Sequence, residues 1–585
     1  MGDQQFIIGT PMSEMLAGME LDGKDPATLE LGSNYVLHFL YGYLPAPPVS
    51  PTATRSLSGV PRVPDGVDRI SRLPHAVLVE ILSRLPAKDA ARTAALASRW
   101  RPLWRMAPLS LVDSHLLPDG GAAGQFPIGV PSPRAVTAAV SLILEAHPGP
   151  FRCIHLTRST MEEHRGEISR WLDILVAKGV QELVFVNRPW PMDLRLPATI
   201  FSCSTLTRLY LGVWRLPDTA AVPRGARFPN LKELGLCMTV MEDRDLAFML
   251  ERSPVLEFLV IMGSQTGVRL RLVSQRLRCV QLGHALLEYI DVADAPSLER
   301  LFFSEIVPPG KLRSFRKRNN DNGSSMIKIG RAPNLRVLGY IQPGQQELGI
   351  INTDVVAGSK EKIVPSVKIL AMEVQFGDRN AVKKVPGFLR CFPNLETLHV
   401  YVKLVNFTTY CIGSFAILCY TSMVRTIMNQ INHMTVGLLI DKIPELCMLP
   451  FHLQSPTISE ESTSKVSPKF WQEGGPIKCV VQSMKKVFIY EFHGSRSEVA
   501  FLKFIAETGR VLEHMVLLVA NECFSSGDDN VRAKLKPLAS VKWNNQACKV
   551  QLFKSRRTNP GGPVYSNKIA SDFGFADPFD LLGHY

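Results

Sequence analysis

The stretch FPNLKELGLCMTVMEDRDLAFMLERSPVLEFLVI, residues 228–261, decides the fold because it contains two copies of one pattern. In each copy, apolar residues stand at the first, fourth and sixth positions. Leu231, Leu234 and Leu236 form the first copy, and position 256 begins the second. The last two apolar positions alternate as they do on a β-strand, and residues 243–250 between the copies predict a helix.

The same pattern occurs ten times between residues 135 and 402. Most steps between copies fall in or near the 20–29 residues that are typical of leucine-rich repeats. Such a unit cannot bury its own apolar face, so neighbouring units must stack into a solenoid with a parallel sheet. The alternative is a set of unrelated strands in an α/β domain. The other copies are Phe151/Ile154/Leu156, Val180/Leu183/Phe185, Leu206/Leu209/Leu211, Leu256/Leu259/Ile261, Leu277/Val280/Leu282, Leu298/Leu301/Phe303, Leu335/Leu338/Tyr340, Val367/Leu370/Met372 and Leu395/Leu398/Val400.

Residues 68–112 predict a compact helical module. One helix begins near Pro74 and stops at Pro86, and Asp89 is the predicted N-cap of a second, alanine-rich helix. A third helix follows around Pro102. Three short helices bury little surface by themselves, so we expect the module to need a partner. Its apolar and turn residues are Leu73, Pro74, Leu78, Ile81, Leu82, Leu85, Pro86, Leu96, Trp100, Leu103 and Trp104.

The stretch LPHAVLVEILSRLPAKDAARTAALASRWRPLW, residues 73–104, resembles the F-box of plant proteins. The matching features are two Leu-Pro pairs, an Ile-Leu pair and the Ser-Arg-Trp ending. The resemblance implies that the eleven residues named above bind a Skp-type adaptor, and through it the cullin of a ubiquitin ligase. The alternative is an ordinary helical hairpin whose leucine and tryptophan stripes form only its own core.

Residues 470–556 resemble the FBD-type C-terminal region of plant F-box/leucine-rich-repeat proteins. Residues 486–492 predict a strand, Ser497 a helix cap and Gly509 the helix end, and Leu512/Met515/Leu517 repeats the solenoid pattern. We therefore expect this region to end the solenoid, with its charged helix capping the apolar stack. The predicted fold class is α/β, with a short all-helical F-box module followed by an irregular leucine-rich-repeat solenoid at 135–402.

The remaining segments carry weaker signals. Residues 1–67 form an N-terminal extension and a Pro/Ser-rich linker, and residues 113–134 form a second linker. Residues 403–469 interrupt the pattern, and we expect them to be a mobile insertion outside the stack. The basic segment 311–325 is either a solvated loop or a patch for nuclear import or an acidic partner. Residues 557–585 are predicted to be a flexible tail or a short docking peptide.

Composition excludes several classes of function. The net charge of +13 is mild for 585 residues, so it permits an acidic partner, and we predict no nucleic-acid partner. The 11 cysteines contain no C-x-x-C pair, which argues against a zinc site. Their odd number in a long chain argues against a secreted disulfide framework, so we expect a reducing compartment, the cytoplasm or nucleus. The uncharged stretch 404–424 is long enough to span a membrane, but its threonines and serines argue against it. No nucleotide, metalloprotease or hydrolase motif is present, so we predict no catalytic residue, metal or cofactor.

Two classes of function remain. In the first, the chain is a non-catalytic substrate-recognition subunit: the F-box docks the adaptor and the solenoid holds a target protein that the sequence does not name. In the second, it is a leucine-rich scaffold whose helical module only caps the solenoid. His155, His284 and His399 lie in or beside strand motifs, where we expect structural roles.

Overall fold

The computed structural model describes residues 40–49, 68–117, 134–159, 165–187, 194–222, 225–264, 268–283, 285, 287–304, 325–350, 363–403, 470–524, 536, 538, 541–555 and 567–580. They form two compact units, which divide between residues 266 and 267. Within the described part of the chain, no helix is long and apolar enough to cross a membrane. His284, nearly all of the basic segment 311–325 and nearly all of the predicted insertion 403–469 lie outside the described residues. Most of the extension and linker at 1–67 lies outside them as well.

The first unit begins its regular structure with the three short helices that the sequence predicts. Pro74 and Pro86 immediately precede α1 and α2, where a missing N–H costs nothing. Asp89 therefore lies in the first turn of α2, and its prediction as the N-cap is wrong. The helices of this unit are α1 (His75–Ser83), α2 (Ala87–Thr93), α3 (Trp100–Met106), α4 (Arg134–Ala146), α5 (Arg165–Ala177) and α6 (Asp243–Glu251).

The strands of the first unit pair in parallel in chain order. Residues at equal positions of successive copies stand opposite one another, as Leu209 does between Leu183 and Leu234. The apolar positions of the copies are buried, and Leu234 and Leu259 have no exposed surface. The strands are β1 (Leu109–Val112), β2 (Phe151–Leu156), β3 (Glu182–Val186), β4 (Arg208–Gly212), β5 (Glu233–Cys237) and β6 (Phe258–Met262).

The predicted linker at 113–134 is wrong at its N-terminal end. β1 pairs with β2, and the chain continues directly into a short 3-10 helix at Asp113–Leu116. The buried Asp113 carboxylate accepts hydrogen bonds from the backbone N–H of Arg158 at 2.7 Å and of Ser159 at 2.8 Å. The sheet thus begins at residue 109, at a strand too short to show the repeat pattern, and residues 118–133 lie outside the described part.

In the second unit a parallel sheet carries the remaining copies of the pattern. Within the described residues, each of the ten copies therefore supplies a strand or the turn before it, which confirms the predicted repeat. The strands are, in order across the sheet, β8 (Cys279–Gly283), β10 (Arg300–Ser304), β12 (Val337–Ile341), β14 (Ile369–Val374), β15 (Thr397–Val402), β16 (Lys486–Phe492), β17 (His514–Val519) and β18 (Lys549–Lys554).

A second parallel sheet replaces helices in part of this unit, which the sequence analysis did not predict. In its first strand, Val268, Leu270 and Leu272 are buried while the intervening arginines are exposed. That alternation, VRLRLV, is a readable strand signal that the search for longer repeats passed over. The strands are, in order across the sheet, β13 (Gln346–Ile350), β11 (Ser325–Arg331), β9 (Leu287–Asp294) and β7 (Val268–Val273).

The C-terminal helices flank the sheet instead of capping its end. In α10 (Arg496–Thr508), the Ser495 Oγ accepts the backbone N–H of Glu498 and donates to the Glu498 carboxylate. Ser495, and not the predicted Ser497, is therefore the N-cap. The ring of Trp471 packs on Phe501 and Phe504 of α10, at centroid distances of 5.0 and 5.5 Å. The prediction that α10 caps the stack is wrong, because β18 follows β17 in the sheet. The helices are α7 (Arg379–Arg390), α8 (Phe470–Glu473), α9 (Lys478–Gln482), α10 (Arg496–Thr508) and α11 (Asn567–Ser571).

Both ends of the described chain pack on sheets. In the first unit, the hydroxyl of Tyr41 donates a hydrogen bond to the carbonyl of Thr157 at 2.6 Å, and Leu40 is buried. In the second unit, residues 567–580 lie against the sheet, with Phe579 fully buried. The prediction of a flexible tail is therefore wrong for residues 567–580, and the alternative of a short docking peptide stays a prediction.

Candidate functional site

The helical module at residues 68–107 has a small core of its own. Leu78, Leu82 and Leu103 have no exposed surface, and Trp100 is almost fully buried. The Arg99 guanidinium donates a hydrogen bond to the carbonyl of Leu73 at 2.9 Å, and another to that of Ser71. This arginine therefore ties the turn before α1 to the turn before α3, which explains the Ser-Arg-Trp ending of the motif.

The module packs directly on the first strands of the sheet. Ser110 of β1 donates a hydrogen bond through its Oγ to the carbonyl of Ser83 at 3.3 Å. The rings of Trp104 and His147 pack in a T-shaped arrangement with their centroids 5.1 Å apart, and Nε2 of that histidine lies 3.2 Å from the carbonyl oxygen of Ala107. Burial lowers the pKa of His147. The module and the sheet of the first unit therefore form one packed body.

Several apolar side chains of the module remain in contact with solvent. The exposed fraction is 72% for Leu96, 57% for Ile70, 54% for Met106 and 43% for Val77, and Pro74 is also exposed. We call Ile70, Pro74, Val77, Leu96 and Met106 the exposed apolar set. Large apolar residues that a small module leaves in water are candidates for contact with a partner.

The structure divides the eleven predicted adaptor-binding residues into three groups. Pro74 and Leu96 are exposed, and the side chains with partial exposure are Leu73, Ile81, Leu85, Pro86 and Trp104. The core residues are Leu78, Leu82, Trp100 and Leu103. In this conformation Leu78, Leu82 and Leu103 offer no exposed area to a partner and Trp100 offers only 6%. Adaptor binding by the eleven residues stays a prediction.

Sequence analysis missed Ile70, Val77 and Met106. Val77 lies four residues before Ile81, so the two share a face of α1 that differs from the face of Leu78 and Leu82. The signal was available as a second apolar i, i+4 pair beside the first. Grouping Ile81 with Leu78 and Leu82 in one set merged the outer face of α1 with its core face.

A charged cluster lies on the sheet of the first unit. The guanidinium of Arg208 on β4 bridges Glu182 of β3 at 2.8 Å and Glu233 of β5 at 2.7 Å. The hydroxyl of Tyr210 also donates a hydrogen bond to Glu233 at 2.6 Å. Burial and the adjacent Glu233 carboxylate raise the pKa of Tyr210, so this hydroxyl keeps its proton. The cluster is internally paired and holds three strands in register.

The buried thiols show no sign of activation. Burial raises the pKa of Cys203, Cys237 and Cys479 to about 12 each, and a protonated thiol is a poor nucleophile and metal ligand. Among the described residues, no group of three or more His, Cys, Asp or Glu side chains is arranged to hold a metal ion. His399 contacts Tyr490 and Asp577, each at 3.0 Å, as a structural histidine does.

Family models match three parts of the chain in succession. An F-box domain matches residues 70–110, the leucine-rich repeats of FBD-associated F-box protein At5g56370 match 168–400, and FBD matches 472–517. The first covers α1 to α3, and the last runs from α8 to β17.

Curated relatives come from Arabidopsis thaliana. F-box/LRR-repeat protein 13 is 28% identical over 42% of this chain and 56% of its own length. FBD-associated F-box protein At5g56370 is 33% identical over 33% of this chain and 42% of its own length. The FBD-associated F-box protein At5g56440 is 23% identical over 81% of this chain and 97% of its own length. The chain thus spans about half of the first two relatives and nearly all of the third.

The chain contains an F-box, leucine-rich repeats and an FBD region, in that order. The predicted resemblance to plant F-box/leucine-rich-repeat proteins with an FBD region is therefore confirmed. The fold class is also confirmed, as a helical module near the N-terminus followed by repeats with parallel strands.

Proposed function

We propose that this protein is the non-catalytic substrate-recognition subunit of an SCF-type cullin–RING ubiquitin ligase. The F-box module binds a Skp-type adaptor, and through it the cullin, while the repeats hold a target protein. The ubiquitin-transfer chemistry belongs to other subunits, and we propose the cytoplasm or nucleus as the site of action. The F-box match and the family of the relatives support this assignment.

One structural observation carries the proposal. The module buries Leu78, Leu82 and Leu103 to hold itself together, yet it leaves Leu96 72% exposed and Met106 54% exposed. When a partner covers an exposed leucine and methionine, the free energy falls by about 25 cal/mol per Å² of apolar surface removed from water. An adaptor surface that covers the exposed apolar set supplies that gain.

The test uses the full chain, because the module packs on the sheet. We expect the double substitution Leu73→Ala with Pro74→Ala to weaken adaptor binding at least tenfold, about 1.4 kcal/mol, since interface energy concentrates in a few anchors. Leu96→Asp should have an effect of the same size. Both variants should melt close to the parent, because neither replaces a core residue.

A leucine outside the module provides the matched control. Leu142 of α4 is 67% exposed, so Leu142→Asp makes the same chemical change in the same unit and should leave adaptor binding unchanged. Equal adaptor affinity in the parent, the double variant and Leu96→Asp would favour the scaffold function instead. The contacts of Trp104 and Ala107 with His147 are the observation that supports that alternative, because a solenoid cap needs such contacts.

A further inference from the structure

Residues 567–580 pack as a peptide on one face of the sheet in the second unit. That face, which we call the tail-binding face, is formed by Arg300, Phe302, Tyr340, His399 and Tyr490. It draws on four strands, β10, β12, β15 and β16. Each of the five side chains is buried with the tail in place.

Arg300 binds the backbone of the tail. Its guanidinium donates hydrogen bonds to the carbonyls of Ala570 at 2.9 Å and Asp572 at 3.1 Å, and another to that of Phe575. The ring of Phe573 lies 4.0 Å from the guanidinium carbon of Arg278 and 4.4 Å from that of Arg300. The arginines attract an aromatic ring by cation–π stacking, and they bind backbone carbonyls by charge-assisted hydrogen bonds. This site therefore favours binding of an aromatic peptide segment whose backbone carbonyls are accessible.

Asp577 and Phe579 supply the specific contacts. The carboxylate of Asp577 lies 3.0 Å from Nε2 of His399 and also accepts the backbone N–H of Phe579 at 3.1 Å. The fully buried ring of Phe579 packs in T-shaped arrangements with the rings of Phe302 and Tyr340, at centroid distances of 5.5 and 5.2 Å. The Tyr490 hydroxyl donates to the carbonyl of Phe579 at 2.9 Å.

The socket for Phe579 depends on a small residue. A Cβ atom at Gly339 would stand 2.5 Å from the Cβ of Ala371 and 2.9 Å from the tip of the Phe579 ring, so a larger residue there requires one of these neighbours to shift. Proteins that recognise short peptides commonly combine an aromatic anchor in a pocket, a carboxylate on a buried polar group and several backbone contacts. The tail makes all three kinds of contact.

We propose that the tail-binding face recognises in a target protein an acidic–aromatic segment with the chemistry of Asp577-Pro578-Phe579. The chain's own tail occupies this face as an internal competitor. This inference rests on the proposed function, because it assigns the surface through which the repeats hold a target. A tethered segment acts at an effective concentration of roughly millimolar. A target must therefore bind this face more tightly than the tail does, or bind after the tail has been released from the face.

The experiment measures binding of a labelled synthetic peptide, NKIASDFGFADPFD, by fluorescence anisotropy. The peptide has the sequence of residues 567–580. We expect saturable binding to a chain ending at residue 566, and at least tenfold weaker binding to the full chain. In the peptide, changes equivalent to Asp577→Ala or Phe579→Ala should each weaken binding at least tenfold. Ala576→Ser, at an exposed position, is the matched control and should have no effect.

A second variant covers the case in which the shortened chain does not fold. The full chain with Phe579→Ala keeps every strand, and releasing its tail should raise its affinity for the parent peptide above that of the unmodified chain. The proposal is overturned if the peptide fails to bind the folded Phe579→Ala chain, or if the full chain binds it as tightly as that variant. Adaptor binding, measured on the same proteins, should not change, so a failure here is distinct from a failure of the ligase function.

Discussion

Replacing Leu234 by alanine tests the stacked repeat most directly. Leu234 is fully buried in β5 and stands in register between Leu209 of β4 and Leu259 of β6, so its side chain fills space between neighbouring units. Deleting a buried leucine side chain costs 2–5 kcal/mol because apolar burial is lost and a cavity remains. We expect about 3 kcal/mol for Leu234→Ala, and a larger loss for Leu234→Asp, which would bury an unpaired charge.

The assay is thermal and urea unfolding of the full chain, followed by circular dichroism. For a unit of this size, 3 kcal/mol corresponds to a fall in Tm of roughly 6–12 °C. Lys232, two residues earlier, is the matched control: its side chain is 62% exposed, and its Nζ lies 3.7 Å from Glu257. A surface ion pair contributes less than about 1 kcal/mol, so Lys232→Gln should melt close to the parent. Similar melting of Leu234→Ala and Lys232→Gln would refute the stacked-repeat argument.

Three further predictions concern the first unit. Burial, and then the positive charges of Arg208 and His115, lower the pKa of His155 to about 3. The contribution of the neutral His155 to stability is therefore fully present above the ordinary pKa of about 6.5 and is lost as pH falls towards 3, by on the order of 5 kcal/mol. Urea melts at several pH values should show a shallower acid dependence for His155→Leu than for the parent, and equal slopes would contradict the assignment. Asp113→Ala leaves two buried backbone N–H groups without their carboxylate and should cost about 2–4 kcal/mol, whereas Asp113→Asn should cost less in the same melts. A Cβ at Gly235 would stand 2.2 Å from the Tyr210 ring, so Gly235→Ala should lower the Tm by several degrees, and an unchanged Tm would show that the ring moves aside at no cost.

The sequence determined the elements whose signals are local and periodic. The ten copies of the pattern specify the strands because a parallel stack repeats the same apolar positions in every unit. The prolines at 74 and 86 likewise mark the starts of two helices, since proline is accepted at a helix start and excluded from its interior. The cap at Ser495 was also readable, as the sequence S-R-S-E, although Ser497 was chosen.

Only the tertiary structure decided which apolar residues of the module are core and which are surface. Leu82 and Leu96 are the same residue type in the same short motif, yet one has no exposed area and the other is 72% exposed. Their difference depends on what packs against each one, and periodicity on one helix does not specify that. The place of the tail was equally undetermined, because Asp577 and Phe579 meet His399 and Phe302 across 178 and 277 residues of chain. Contacts of that range arise from the closed fold, and no local pattern encodes them.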